Sequence, residues 1–200
     1  QLATSDAKQE EMRRGCAMAR SFGVSNSEIS PKEVKELFPL AYVDDLKCGF
    51  YFPDDGRVNP ADVTQALAKG AKKMGVKILE NLPVLDVMVE NGKACGVKTL
   101  KGDIKAEVVV LCPGMWGYEM GNKIGVNIPL QAAEHYYLIS EPIPEVHNKL
   151  PILRDPGRCA YAREEAGKIL LGFFEPNAAP WSEKGIPEDF CFDEIQPDWD

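Results

Sequence analysis

"VLDVMVENGKACGVKTLKGDIKAEVVVLCPGMW", residues 84–116, sets the architecture. Its first part contains Asn91-Gly92, a dipeptide that tolerates the positive φ angles of a two-residue hairpin turn, and then Lys101-Gly102-Asp103, a second turn signal. This spacing predicts a three-stranded meander over residues 84–107. The pattern then changes. Val108–Cys112 is continuously apolar, as expected of a parallel strand covered on both faces. A meander, a buried strand and a Pro113-Gly114 turn in that order predict a mixed α/β (α+β) chain, in which part of a doubly wound lobe carries a small antiparallel insert.

Upstream, residues 5–22 read as a helix, with acids early, basic residues later and Gly23 as its stop. In "SPKEVKELFP", Ser30 is placed to cap a short helix, Pro31 suits its first position, and Glu33 completes a capping box. In "GRVNPADVTQALAKGAKKMG", Asn59 caps and Pro60 starts a third helix. Its stripe of Val63, Ala66, Leu67, Gly70, Ala71 and Met74 is small enough to predict close packing on a sheet. "VKILE" (76–80) reads as a strand, and "MWGYEMGNKIG" (115–125) as a short helix with a glycine stop. After a lobe boundary near residues 126–131 the chain is strand-rich again, through "LQAAEHYYLIS", "PILRD", "CAYARE" and "KILLGFF".

The totals exclude several partners. A chain of 200 residues with 44% hydrophobic content can bury a core, but a net charge of −8 and a pI near 4.9 give no basic footprint for nucleic acid or an anionic membrane surface. Cys16, Cys48, Cys95, Cys112, Cys159 and Cys191 form no CxxC and read as reduced thiols. Neither His135 nor His147 stands at metal-ligand spacing from a cysteine pair, so no metal is expected. No run approaches the ~20 apolar residues of a membrane span, and the opening "QLATSDAKQEEMRR" lacks a signal-peptide core. That opening is not Met, and with the abrupt "QPDWD" it suggests a piece of a longer protein.

The turn after Val108–Cys112 would emerge at the carboxyl end of a parallel sheet, where α/β proteins hold ligands, and Gly114 removes a side chain from that edge. The dipeptide by itself is also ordinary turn chemistry. From about Ser30 to Trp181, however, "GRVNPADVTQALAKGAKKMGVKILENLPVLDV", "VVVLCPGMWGYEMGNKIGVNIPLQAAEHYYLISEPI" and "LPILRDPGRCAYAREEAGKILLGFFEPNAAPW" follow one another in an order that resembles the FAD-dependent dimethylglycine and sarcosine dehydrogenases, within the D-amino-acid oxidase-like superfamily. The resemblance implies a helical part of a substrate lobe at 1–50, a partial FAD-binding lobe at 51–128 and an antiparallel substrate lobe at 129–200. It places Val84, the Cys112-Pro113-Gly114 turn and Trp116 along FAD. It also implies a small amino-acid substrate, oxygen or an electron-transfer flavoprotein as electron acceptor, and a bacterial cytoplasm or mitochondrial matrix as location.

Flavin amine oxidation removes the equivalent of a hydride from a C–H bond beside nitrogen, and an imidazole or phenol can take the amine proton. The resemblance aligns His135 and Tyr161 with the family's paired active-site histidine and tyrosine. Read without it, His135 is a polar residue on a half-buried strand sharing a face with Tyr137, and Tyr161 is a strand core residue. Arg154 and Arg163 are candidate partners for a substrate carboxylate, although "LRDPGR" also reads as a turn with local ion pairing and Arg163 as a surface pair with Glu164. Tyr51, in "GFYFPDDG", is a candidate lining residue. A glycine oxidase-like enzyme and a non-catalytic relative resembling the pyruvate dehydrogenase phosphatase regulatory subunit stay open as alternatives.

The family's opening strand and GxGxxG turn, which seats the pyrophosphate on a helix N-terminus, do not occur in this sequence. Nor do the segments for covalent flavin attachment and folate binding. The expected outcome is that the 200-residue chain, incubated with FAD and desalted, loses its flavin absorbance. A retained, stoichiometric flavin spectrum refutes it.

Overall fold

The structure, a computed structural model, describes residues 1–191 and 195. In chain order the elements are β1 (Leu2–Ala3), α1 (Asp6–Ser21), β2 (Ser27–Ile29), α2 (Pro31–Leu37), β3 (Cys48–Tyr51), α3 (Pro60–Lys73), β4 (Val84–Glu90), β5 (Lys93–Thr99), β6 (Gly102–Lys105), a 3-10 turn at Gly114–Trp116, α4 (Gly117–Lys123), β7 (Tyr137–Ile139), β8 (Leu153–Asp155), β9 (Ala160–Glu165) and β10 (Lys168–Phe173). They form three sheets, ordered β1-β3-β2, β4-β5-β6 and β7-β10-β9-β8, in which every pairing is antiparallel.

The chain divides into two compact units, one made of residues 1–65 and 135–178, the other of 66–134 and 179–200. In the first unit α1 starts where the Ser5 hydroxyl accepts from the Lys8 N–H at 3.2 Å. One turn apart on its inner face, Met12 and Cys16 are buried with Ala3, Cys48 and Phe50. Burial pushes the thiols of Cys16 and Cys48 up. The capping box forms as the sequence reads: Ser30 Oγ accepts from the Glu33 N–H at 3.3 Å and Glu33 Oε2 accepts from the Ser30 N–H at 2.7 Å.

Helix α2 can approach β3 because Gly49 faces it. A Cβ there would stand 2.5 Å from Val34 Cγ2. Val34 therefore joins Leu2, Phe38, Ala41, Leu46, Val146, Leu150 and Ala162 in the main core. Each large side chain of that set contributes about 1.5–3 kcal/mol on full burial.

The second unit holds the predicted meander. Asn91 and Gly92 take φ of 50° and 75°, the two positive values that a hairpin turn of this kind demands. Val87 is buried, and Lys123 of α4 donates to the Leu85 carbonyl of β4 at 3.0 Å. Residues after 178 return to the same unit: Ala133 bridges Pro180, and Trp181 N–H donates to the Ala132 carbonyl at 2.8 Å.

Four expectations are corrected. Val108–Cys112 is not a strand; Val108 and Val110 are 76% and 77% exposed, since no strand among the described residues pairs with them. "VKILE" is likewise without strand structure. Helix α3 is capped as read, with Asn59 Oδ1 accepting from the Ala61 and Asp62 N–H groups, yet buries none of its residues. Its apolar stripe lies on no sheet among the described residues. His135 precedes β7 and is not within a strand, so alternation does not fix which face it shares. No helix among the described residues is long and apolar enough to cross a membrane.

On the surface of the first unit, Arg13 grips Glu28 with both arms of its guanidinium, at 2.8 and 2.7 Å, and Gln9 donates to the same carboxylate at 2.7 Å. These hydrogen bonds, Arg13's first, hold Glu28 down from 4.5 to about 2. A depressed carboxylate stabilises above its unfolded pKa and loses that contribution as pH falls through the folded one. Wild type is therefore expected to melt above Glu28→Gln at pH higher than 4.5, with the two curves converging toward pH 2. The pair is exposed, so the gap is on the order of a few degrees or less; thermal denaturation at several pH values measures it.

Candidate functional site

The four-stranded sheet builds the site. Strand β9 alternates, so Ala162 and Glu164 are buried on one face while Tyr161, Arg163 and Glu165 share the other. Register places Tyr161 opposite Arg154 of β8 and Gly172 of β10, and Gly172 opposite Tyr137 of β7. Residues directly opposite share a face. One row across the sheet is thus Arg154, Tyr161, Gly172, Tyr137.

His135 meets this row just before β7. Its Nε2 lies 3.3 Å from the Tyr161 hydroxyl, twenty-six positions later in the chain. The tautomer sets which atom donates: the phenol O–H donates to a bare Nε2, or an Nε2–H donates to the phenol oxygen. Phe174, immediately after β10, stacks on the imidazole with centroids 4.6 Å apart and planes at 12°, and stands 5.3 Å from the Tyr161 ring. Its backbone N–H donates to the Cys159 carbonyl at 2.7 Å, which extends the β9–β10 ladder one residue past the Phe173–Ala160 pair. The histidine is exposed and Tyr161 half-buried, so the pair is accessible at the surface of this unit.

Beside Arg154 the same unit contains a cavity of about 420 Å³ whose lining includes Tyr51, Phe52, Asp55, Arg57, Pro151 and Arg154. Tyr51 and Arg154 are thereby brought together. Arg163 is not: it pairs with Glu165 Oε2 at 2.6 Å. The sequence-level pairing with Glu164 is corrected by strand geometry, because adjacent strand residues face opposite ways and residues two apart share a face. "LRDPGR" does make its local pair, with Asp155 accepting from Arg158 N–H and Nη1 at 3.1 and 2.9 Å.

Candidate cofactor residues lie in the other unit. Val84 opens β4 opposite Thr99 and is 41% exposed, Cys112 is exposed, and Trp116 ends the 3-10 turn at 39% exposure. Gly114, following Pro113, has φ +60° and open space where a Cβ would stand. This turn leaves backbone and apolar surface accessible to a flat group. The open space at Gly114 sets no steric bar to the edge of a flat cofactor, whereas a pyrophosphate seat of the GxGxxG kind is not in the sequence.

Sequence reasoning missed Gly172, Phe174, Arg57 and Glu164. The last had a signal: period two along "AYAREE" turns Glu164 inward with Ala162, and an inward carboxylate needs a partner. Its Oε1 accepts from the Gly167 N–H at 2.9 Å. Arg57 donates to Oε2, and to the Glu164 carbonyl at 2.5 Å. The Gly167 bond first, then Arg57, holds the carboxyl below the usual carboxylate range. Arg57→Ala is expected to lower the melting temperature more than a fully surface change such as Lys32→Ala. The deficit should shrink on acidification, as pH falls through the depressed carboxyl and Glu164 becomes neutral in both proteins. Equal melting of the two variants at pH 7 refutes this.

The model of the family described as FAD dependent oxidoreductase matches residues 1–196. The chain is 32% identical over 204 residues to mitochondrial sarcosine dehydrogenase of Homo sapiens, covering 100% of this chain and 22% of that protein. It is 36% identical over 202 residues to the mitochondrial pyruvate dehydrogenase phosphatase regulatory subunit of Mus musculus, covering 100% and 23%. The chain thus spans less than a quarter of either relative. Among solved structures, L-proline dehydrogenase from P. horikoshii superposes with a TM-score of 0.77 at 30% identity, covering 86% of this chain and 47% of that one. With the matched model running through both units and nearly the whole sequence, the chain belongs to the FAD-dependent oxidoreductase family.

Proposed function

We propose that this chain is part of a flavoenzyme that oxidises an N-methyl amino acid, sarcosine or dimethylglycine, at the carbon beside nitrogen. The observation that carries the reading is the 3.3 Å contact between His135 Nε2 and the Tyr161 hydroxyl, backed by Phe174. The similarity to sarcosine dehydrogenase supports the substrate class.

In this reading His135 takes the proton from the substrate ammonium and leaves the nitrogen lone pair free to stabilise the iminium that forms. Tyr161 holds the imidazole in place and offers its hydroxyl to the amine. Arg154, with Tyr51 across the same cavity, receives the substrate carboxylate; a guanidinium matches a carboxylate with two parallel bonds. Asp55 in the lining disfavours a second negative group on the substrate. Arg163, paired with Glu165, is left with a structural part. Val84, Cys112, Pro113, Gly114 and Trp116 would touch FAD, which supplies the two-electron acceptor when bound. Oxygen or an electron-transfer flavoprotein regenerates the flavin, in a bacterial cytoplasm or a mitochondrial matrix.

A second reading has its own support, the 36% identity to a phosphatase regulatory subunit. It predicts that the full-length protein, loaded with FAD, is not reduced by either amine.

Under the enzymatic reading, anaerobic mixing of the full-length flavoprotein with sarcosine or dimethylglycine bleaches the flavin. His135→Ala slows that step on the order of 10²-fold or more. Tyr161→Phe slows it by about tenfold or less, the worth of one net hydrogen bond. Arg154→Ala raises KM roughly ten- to a hundredfold with kcat little changed. Wild-type reduction kinetics in His135→Ala remove the imidazole from the mechanism, and no reduction with either amine in the wild type overturns the N-methyl amino acid reading.

A further inference from the structure

Gly172 sits in the interior of β10, opposite Tyr161 on one side and Tyr137 on the other. A Cβ built on it would stand 2.4 Å from both Cζ and Oη of Tyr161 and 2.6 Å from Cε1. No real side chain fits at those distances. The phenol ring therefore lies down over the Gly172 backbone.

The backbone itself gives no reason for glycine here. Gly172 is not among the residues with positive φ, and strand interiors favour β-branched or aromatic side chains. Cross-strand Cβ atoms ordinarily stand about 4.5–5.5 Å apart, which keeps a tyrosine upright beside its neighbour. With no Cβ opposite, Tyr161 can lean across β10. That tilt brings its hydroxyl to His135 Nε2 at 3.3 Å and its ring to 5.3 Å from Phe174.

We propose that Gly172 is the positioning residue of the His135–Tyr161 pair: the bare patch it leaves on β10 is what lets the phenol reach the imidazole. Its geometric half stands on the contacts above, and its catalytic half rests on the amine-oxidation reading. Alanine is compatible with the backbone at this position, so Gly172→Ala leaves β10 paired and lifts only the ring.

Two measurements test it. In this chain the histidines are His135 and His147, so the two imidazole resonances can be followed by NMR across pH, with His135→Gln assigning them. Gly172→Ala is expected to change the chemical shift of the His135 resonance and leave that of His147 in place. Tyr161→Ala should produce the same loss of ring contact, and adding Gly172→Ala to it should do nothing more. In the full-length flavoprotein, Gly172→Ala should slow flavin reduction by the amine about tenfold or less and alter its pH profile, with no further loss in the Tyr161→Ala background.

A wild-type His135 resonance in Gly172→Ala, or an undiminished additional loss in the Tyr161→Ala background, overturns the proposal. If the resonance shifts as expected while neither Gly172→Ala nor Tyr161→Ala changes flavin reduction, the positioning geometry stands and the amine-oxidation reading falls.

Discussion

Strand β9 is the member of the structure on which the candidate site depends, because its two faces do opposite work. Inward, Ala162 joins the core and Glu164 is held by the Gly167 N–H and the Arg57 guanidinium. A buried carboxylate with one partner removed is costly, so the loop carrying Arg57 is tied to the sheet by an interaction that tolerates little displacement. The same loop contributes Asp55 and Arg57 to the cavity beside Arg154, where Tyr51 at the end of β3 joins them. Outward, the alternation that buries Glu164 obliges Tyr161 to stand on the accessible face, in register with Arg154.

The accessible face gains its chemistry from small residues as much as from reactive ones. A histidine on a surface loop and a tyrosine on a strand are common; a 3.3 Å approach between them, with a phenylalanine stacked behind the imidazole, is a specific arrangement. It needs the missing Cβ of Gly172 and the cross-strand backbone bond from Phe174 to Cys159. The reactive atoms thus inherit their geometry from the β9–β10 strand pairing, which is rigid.

The two units differ in how they spend their apolar surface. The first has two packed clusters, whereas in the second Val87 is buried and Leu67, Met74, Leu100, Val108 and Val110 are all at least 70% exposed. Apolar residues left that open in a run such as Val108–Cys112 are where sequence pattern and observed structure part. The pattern of a buried strand is present, but a strand is a relation between neighbours, and no neighbour pairs with it among the described residues.

The local rules were legible from the residues. Ser5, Ser30 and Asn59 start α1, α2 and α3 because each offers a side-chain oxygen to unpaired N–H groups. Asn91-Gly92 closes the meander because its backbone accepts positive φ. The order of motifs carried the family, and the pairing of His135 with Tyr161 came from that resemblance alone. What the tertiary structure decided is every property set by residues distant in sequence. Arg163 faces Glu165, Arg57 reaches Glu164 across 107 positions, Tyr51 and Arg154 line one cavity, and Gly172 gives Tyr161 room to reach His135. Caps and turns are fixed within a few residues of chain; strand register and burial are fixed by which segments meet, and a single sequence states the first without stating the second.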